Sequence, residues 1–216
     1  LTLKYISASS TEIKSYLNGN LITTETVNST IANYTTSIVN NFISRGAGAG
    51  IGERISGNVD DFRIYNKILE INEVYDLYNG NTDRSYPILK DANNTTINPY
   101  VWHQFDTGSL LINNGTSGIN LTSVNVAPTA DTTNFIKGTS SALLIRNTTT
   151  ANYLTSIVNL TTPFTISFWF NINNANNNSP FGLGADDTSP AISCTYNSST
   201  NKIQLKRGIS AYYNKF

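Results

Sequence analysis

Residues 56–80 constrain the fold of this 216-residue chain more than any other segment. The segment begins with an alternating run, in which Phe62 and Ile64 face one side of a strand and the residues between them face the other. A short amphipathic stretch follows, with Val74 and Leu77 on one helical face and a glycine where the helix would end. The segment therefore predicts one strand that runs into one short helix.

The rest of the chain has the pattern of an antiparallel sheet protein. Asn18 and Gly19 stand between two alternating runs and predict a tight hairpin, because both turn positions favour positive φ. Residues 164–170 carry aromatic side chains at alternate positions, with Trp169 on the opposite face, which is typical of a strand covered on both sides. We interpret these aromatic residues as core packing, and a sugar-stacking role for Trp169 is the less favoured alternative.

Residues 56–80 resemble the closing segment of the laminin-G-like, concanavalin A-like sandwich domains. Other segments resemble the opening strands and the middle hairpin of the same family. These are residues 100–106, 135–145 and 164–171 for the opening strands, and residues 1–6 and 13–22 for the hairpin.

The resemblance places the two halves of the family domain in permuted order. The C-terminal half corresponds to residues 1–80 and the N-terminal half to residues 99–216, with a linker at residues 81–98. One explanation is a circular permutant that closes as one domain, which we favour because domain termini often lie close together at the surface. The other is a piece of a tandem array, whose halves pair with neighbouring repeats or other copies. The absence of methionine favours a fragment, and a fragment can still close on itself, so both explanations stay open.

The resemblance and the strand pattern predict an all-β fold. The expected architecture is a jelly-roll sandwich of two antiparallel sheets, concanavalin A-like, with a single short helix near residues 70–79. Charged residues are scarce and balanced, at 14 of each sign, so the sequence predicts no binding to nucleic acid. No apolar run has the length of a membrane span, so we predict no membrane insertion.

The carboxylates do not form the pattern that catalysis in this fold would need. The resemblance implies that a glucanase would carry Glu-x-Asp-x-x-Glu on one strand, and no such string occurs. Asp60 and Asp61 are adjacent, so a regular strand would point them to opposite faces. Glu70, Glu73 and Asp76 recur on one helical face, which is typical of a solvated surface. We therefore predict that the chain is not an enzyme and name no catalytic residue.

The chain has one cysteine and one histidine. A single cysteine excludes an internal disulfide framework, and we interpret Cys194 as a small apolar residue of a strand. His103 would be the only base available to activate it, and we disfavour that pairing. His103 has no second histidine to join it at a metal, so we interpret it as a strand residue.

The resemblance implies that calcium could bind at the rim of the sandwich. Asp131, Asp186 and Asp187 are the loop acids that could serve, but turn formation explains them as well. We therefore name no metal ligand and predict no cofactor, and a calcium site stays unlocated. The glycan-binding residues are likewise unknown, with Tyr212, Tyr213 and residues 171–178 as contributors to examine.

The expected function follows from the resemblance, because a fold alone does not determine function. The leading hypothesis is a non-catalytic recognition or adhesion module, which binds a glycan or a protein surface as part of a larger secreted, cell-surface or virion protein. The alternative is a structural repeat that self-associates through completed half-domains and assembles a fibre or shell. A glycoside-cleaving enzyme of the same fold ranks third.

Overall fold

A computed structural model describes most of the chain. The described residues are 2–7, 10–27, 39–44, 55–80, 84–145, 152–158, 160, 163–173, 178–184, 190–197, 200, 202–207 and 211–215. They form fifteen strands and one helix. The strands are β1 (Thr2–Ser7), β2 (Ser10–Leu17), β3 (Asn20–Val27), β4 (Val39–Ile43), β5 (Gly57–Tyr65), β6 (Val101–His103), β7 (Thr122–Val124), β8 (Thr129–Asp131), β9 (Ser141–Leu144), β10 (Tyr153–Val158), β11 (Phe164–Ile172), β12 (Asn178–Gly184), β13 (Pro190–Asn197), β14 (Lys202–Arg207) and β15 (Ala211–Lys215), and the helix is α1 (Ile71–Asn79).

The strands form two antiparallel sheets. The first sheet has the order β3-β2-β1-β11-β5-β9-β8, and β6 also pairs with β5. The second sheet has the order β15-β14-β13-β12-β4-β10-β7. The prediction of an all-β sandwich of two antiparallel sheets with one short helix is therefore confirmed.

The main core lies between the two sheets. Phe62, Ile64 and Ile166 of the first sheet are buried with Leu154 and Phe181 of the second. These positions alternate along their strands, as expected when one face of each strand is buried against the other sheet. A second, smaller cluster covers the outer face of the first sheet, and its members are Tyr65, Leu69, Leu77 and Leu89.

The hairpin and the helix form where the sequence predicts them. Asn18 has φ 50° and Gly19 has φ 75°, so both turn positions lie in the left-handed region. Helix α1 begins after Glu70 with a reciprocal capping box, in which the Glu73 Oε2 atom accepts a hydrogen bond from the Glu70 backbone at 2.7 Å. Lys67 Nζ also donates a hydrogen bond to Glu73 Oε1 at 2.8 Å, and Glu73 is buried. The prediction that Glu73 lies on a solvated helix face was therefore wrong.

An extra residue in β5 changes which way its two aspartates point. The pairing of β5 with β11 shifts register between Ser167 and Trp169, and Asp61 has φ 46°. Val59 and Phe62 both belong to the main core, although they are three positions apart. A β-bulge therefore places Asp60 and Asp61 on the same outer face, and the expectation of opposite faces was wrong.

Both halves of the chain contribute strands to each sheet. In the first sheet β5 pairs with β11 and β9, and in the second β4 pairs with β10 and β12. The segment between the halves also packs on the body of the domain, because Leu89 is buried in the smaller cluster. The permuted domain boundaries stay a prediction.

No helix in the described ranges is long and apolar enough to span a membrane.

Candidate ligand-binding groove

A groove of about 370 Å³ lies on the outer face of the first sheet, where β5 and β11 meet the loop at residues 132–140. Val59 faces the main core, so its neighbours in β5 face outward into this region. We call this site the Asp60 groove. Its lining includes Asn58, Asp60, Asn134, Phe135, Trp169 and Asn171.

The carboxyl group of Asp60 is buried at the base of the groove with only one oxygen satisfied. Oδ2 accepts the backbone N–H groups of Ile136 and Lys137, both at 2.8 Å. Oδ1 is buried and finds no hydrogen-bond partner among the described residues. Burial, partly offset by backbone hydrogen bonds from Lys137, Ile136 and Asp61, raises the pKa of Asp60 to about 7. The group therefore titrates near neutral pH.

Asn58 repeats this pattern two positions earlier on the same face of β5. Its Nδ2 atom donates to Asp131 Oδ2 at 2.9 Å and to Ser141 Oγ at 3.0 Å. Its Oδ1 atom is buried, and the described part of the chain offers it no donor. A buried acceptor without a donor is costly, so two of them on one strand point to a missing hydrogen-bond donor.

Two aromatic side chains flank these acceptors. Trp169 is half-buried and stacks on Tyr78, with ring centroids 5.6 Å apart. Phe135 lies beneath the guanidinium group of Arg84, which is 4.4 Å from the ring centroid. The groove therefore combines flat apolar surfaces with buried oxygen acceptors.

The loop at residues 132–140 is held in place by side chains from several elements. Asp131 Oδ1 accepts the backbone N–H groups of Thr133 and Asn134 at 2.8 and 3.0 Å. Lys137 is fully buried, and its Nζ donates to the backbone oxygens of Gly80 and Ser85, each at 2.6 Å. The groove is thus built on a loop that is ordered before any ligand arrives.

Asp131, a candidate calcium ligand, caps its own turn. Hydrogen bonds from the side chain and backbone of Asn134 hold the pKa of Asp131 well below its usual range. Asp186 and Asp187 lie outside the described residues. Within the described ranges, no group of three or more His, Cys, Asp or Glu side chains is arranged to hold a metal ion. A calcium site therefore stays unlocated.

The structure places Cys194 and His103 in different sheets. Cys194 lies in β13 against the main core, and burial raises the pKa of its thiol to about 12. His103 lies in β6, with its Nδ1 atom 3.1 Å from the Ile112 oxygen and its ring near Phe62 and Phe105. Burial lowers the pKa of His103 to about 4, so the imidazole is neutral at pH 7.

Sequence reasoning considered Trp169 but missed its partners Asn58 and Phe135. The alternation of Asn58 and Asp60 around the apolar Val59 was the available signal, because it puts two polar side chains on one face. The side chains of Tyr212 and Tyr213 and residues 174–177 lie outside what the structure describes.

The fold and the groove together define a class of protein, a two-sheet antiparallel β-sandwich with an open polar and aromatic groove on its outer face. No known protein family, no curated protein and no solved structure matches this chain. The laminin-G-like resemblance therefore stays a prediction.

Proposed function

We propose that this chain is a non-catalytic recognition module that binds a glycan in the Asp60 groove. The observation that carries this proposal is the lining of the groove, which sets the half-buried aromatic ring of Trp169 beside the exposed amide side chains of Asn134 and Asn171. Sugar hydroxyl groups would hydrogen-bond to these amides, and the apolar face of a sugar ring would pack on the aromatic surface.

The size of the groove suits a short glycan segment. Its volume of about 370 Å³ is at the small end of the range of roughly 300–1,000 Å³ that is usual for ligand sites. One or two sugar units would fill it. Amide side chains at Asn134 and Asn171 line the same space and can both donate and accept hydrogen bonds.

The carboxylates favour recognition over hydrolysis. Glycoside cleavage ordinarily uses two carboxyl groups that flank the scissile bond. Asp60 carries the only carboxyl group among the described residues that line the groove. Its neighbour Asp61 is engaged by Arg63 Nε at 2.7 Å and by Trp102 Nε1 at 2.8 Å.

The resemblance of the sequence to laminin-G-like domains supports an extracellular setting for such a module. We propose that it belongs to a larger secreted, cell-surface or virion protein, with a glycan rather than nucleic acid as its partner.

A glycan array followed by calorimetry with the best ligand tests this proposal. Trp169→Ala is expected to weaken binding at least tenfold, because it removes the larger aromatic surface of the groove. Asn171→Ala should weaken binding as well, since it removes an exposed amide from the lining of the groove. Tyr75→Ala is the matched control, because Tyr75 is an exposed aromatic residue of α1 that is not in the groove. The proposal would be contradicted if no glycan on the array bound the protein, or if the Trp169 and Tyr75 variants bound with equal affinity.

One observation favours the second candidate, a structural repeat. Strand β3 is an edge of the first sheet as described, and it exposes the apolar side chains of Leu21 and Ile22. An apolar edge strand can pair with a strand of another copy. If assembly is the function, light scattering should show a mass that rises with concentration, and Ile22→Lys should abolish the rise. A constant monomer mass would count against assembly.

A further inference from the structure

The first sheet has a gap at one end of strand β1. This strand lies between β2 and β11 and is antiparallel to both, and its pairing ends at Thr2, which lies opposite Thr165 of β11. Both neighbouring strands continue past this point. Within the described structure, Tyr16 and Leu17 of β2 pair only with β3, and β11 from Ser167 onward pairs only with β5.

A cavity of about 250 Å³ lies between these two strand edges. It is lined on one side by Tyr16 and Leu17 and on the other by residues 167–170. We call it the open lane. Because β1 alone separates the same two strands further along, the lane has the width of one strand. Its β11 side corresponds to about 13 Å of extended chain, at about 3.3 Å per residue.

Both faces of the open lane are covered by other parts of the domain. Leu69 and Leu77, which belong to the smaller cluster, line it on the outer face of the sheet. Phe181 and Cys194 of the second sheet line it on the inner face, where they contribute to the main core. A strand in the lane would therefore be covered on both faces, which favours uncharged residues with β propensity.

The two faces of the lane differ in polarity. Phe168 and Phe170 pack against the main core, so Ser167 and Trp169 between and beside them face outward. Tyr16 faces the same outer side, since it stands three positions after the core residue Ile13 in β2. An occupant should therefore carry apolar side chains at alternate positions, directed inward, with small polar side chains such as threonine between them.

From this arrangement we infer that the open lane binds an extended segment of another polypeptide, which completes the first sheet as a strand antiparallel to β2 and β11. Backbone hydrogen bonds to both strand edges would hold this segment, as when a peptide adds a strand to a sheet. A polypeptide is the occupant that fits, because β1 already pairs with both strands in this way. Trp169 and Phe170 also line the Asp60 groove, but the proposal stands without the proposed glycan binding.

An N-acetylated, C-amidated peptide of sequence Val-Thr-Val-Thr is a suitable probe, since it places valine opposite Phe168 and Phe170 when it runs antiparallel to β11. We expect saturable shifts of the backbone amides of residues 167–170 in an NMR titration of the whole chain. The same peptide with N-methylated amides should bind at least tenfold more weakly, because it cannot donate backbone hydrogen bonds. Asn171→Ala, which tests the glycan site, should leave the affinity for the peptide unchanged.

An N-terminal extension completes the test. Val-Thr-Val-Thr added before Leu1 would continue β1 into the lane, so it should abolish binding of the free peptide and raise the melting temperature by several degrees. A Gly-Pro-Asp-Pro extension is the matched control and should do neither, because proline cannot donate to a neighbouring strand. The proposal would be overturned if the free peptide did not bind, if the N-methylated peptide bound equally well, or if the Val-Thr-Val-Thr extension changed neither peptide binding nor stability.

Discussion

Asp60→Asn is expected to raise the free energy of unfolding by about 4 kcal/mol at pH 8 and to change it little at pH 4. An aspartate of the unfolded chain loses its proton near pH 4, whereas burial raises the pKa of Asp60 in the folded chain to about 7. Between these values the folded state binds more protons than the unfolded state, so native stability falls as the pH rises. Asparagine stays neutral, and its oxygen can still accept the N–H groups of Ile136 and Lys137.

Urea unfolding of both proteins at pH 4 and pH 8 measures the effect. Asp131→Asn is the control, because hydrogen bonds lower the pKa of Asp131 and its substitution should reduce stability at pH 8. Equal stabilities of wild type and Asp60→Asn at pH 8 would mean that burial does not destabilise the ionised carboxylate of Asp60. A gain would identify a residue that the domain keeps at a cost in stability, as is common for binding sites.

Arg63→Leu is expected to destabilise the domain by about 3–5 kcal/mol. Arg63 is 1% exposed, and its guanidinium group donates to Asp61 Oδ1 at 2.7 Å and to the Pro87 oxygen at 2.8 Å. The same group lies 4.5 Å from the ring centroid of Trp102. Leucine would leave the buried carboxylate of Asp61 without its cation, and an uncompensated buried charge is among the largest single costs in a fold.

The double variant Asp61→Asn with Arg63→Leu separates charge from packing. Removing both charges should recover a large part of the lost stability, because no buried ion is left unpaired. Urea unfolding of the two single variants and the double variant at pH 7 gives the coupling free energy. A double variant as unstable as Arg63→Leu alone would show that the arginine acts through packing and its contact with Pro87.

The sequence predicted the parts of the fold that depend on local patterns. The Asn18-Gly19 turn and helix α1 follow from backbone preferences of a few neighbouring residues, and both lie where they were expected. The bulge at Asp61 was missed, because it depends on the pairing of β5 with β11, which lies far along the chain. Glu73 was misjudged for a related reason, since its burial depends on Lys67 and the packing of the helix.

The candidate groove could be predicted only in part. Trp169 was recognised as facing away from its aromatic neighbours, and its place beside Asp60 follows from the strand register. The unsatisfied oxygens of Asp60 and Asn58 could not be inferred, because they result from a loop that arrives from residues 132–140 and supplies fewer donors than the two side chains accept. Satisfaction of hydrogen bonds is a property of tertiary packing and leaves no local pattern in the sequence.

The central position of β5 has a consequence for how the chain folds during synthesis. Its partners β6, β9 and β11 all come later in the chain. Ile64 therefore cannot pair with Ile166 until Ile166 has been synthesised. Until then Phe62 and Ile64 belong to an incomplete sheet with open edges, a state that is prone to aggregate. Such distant pairings give a high contact order, which slows folding because long loops must close first. We therefore expect the domain to fold slowly and only after β11 has been synthesised.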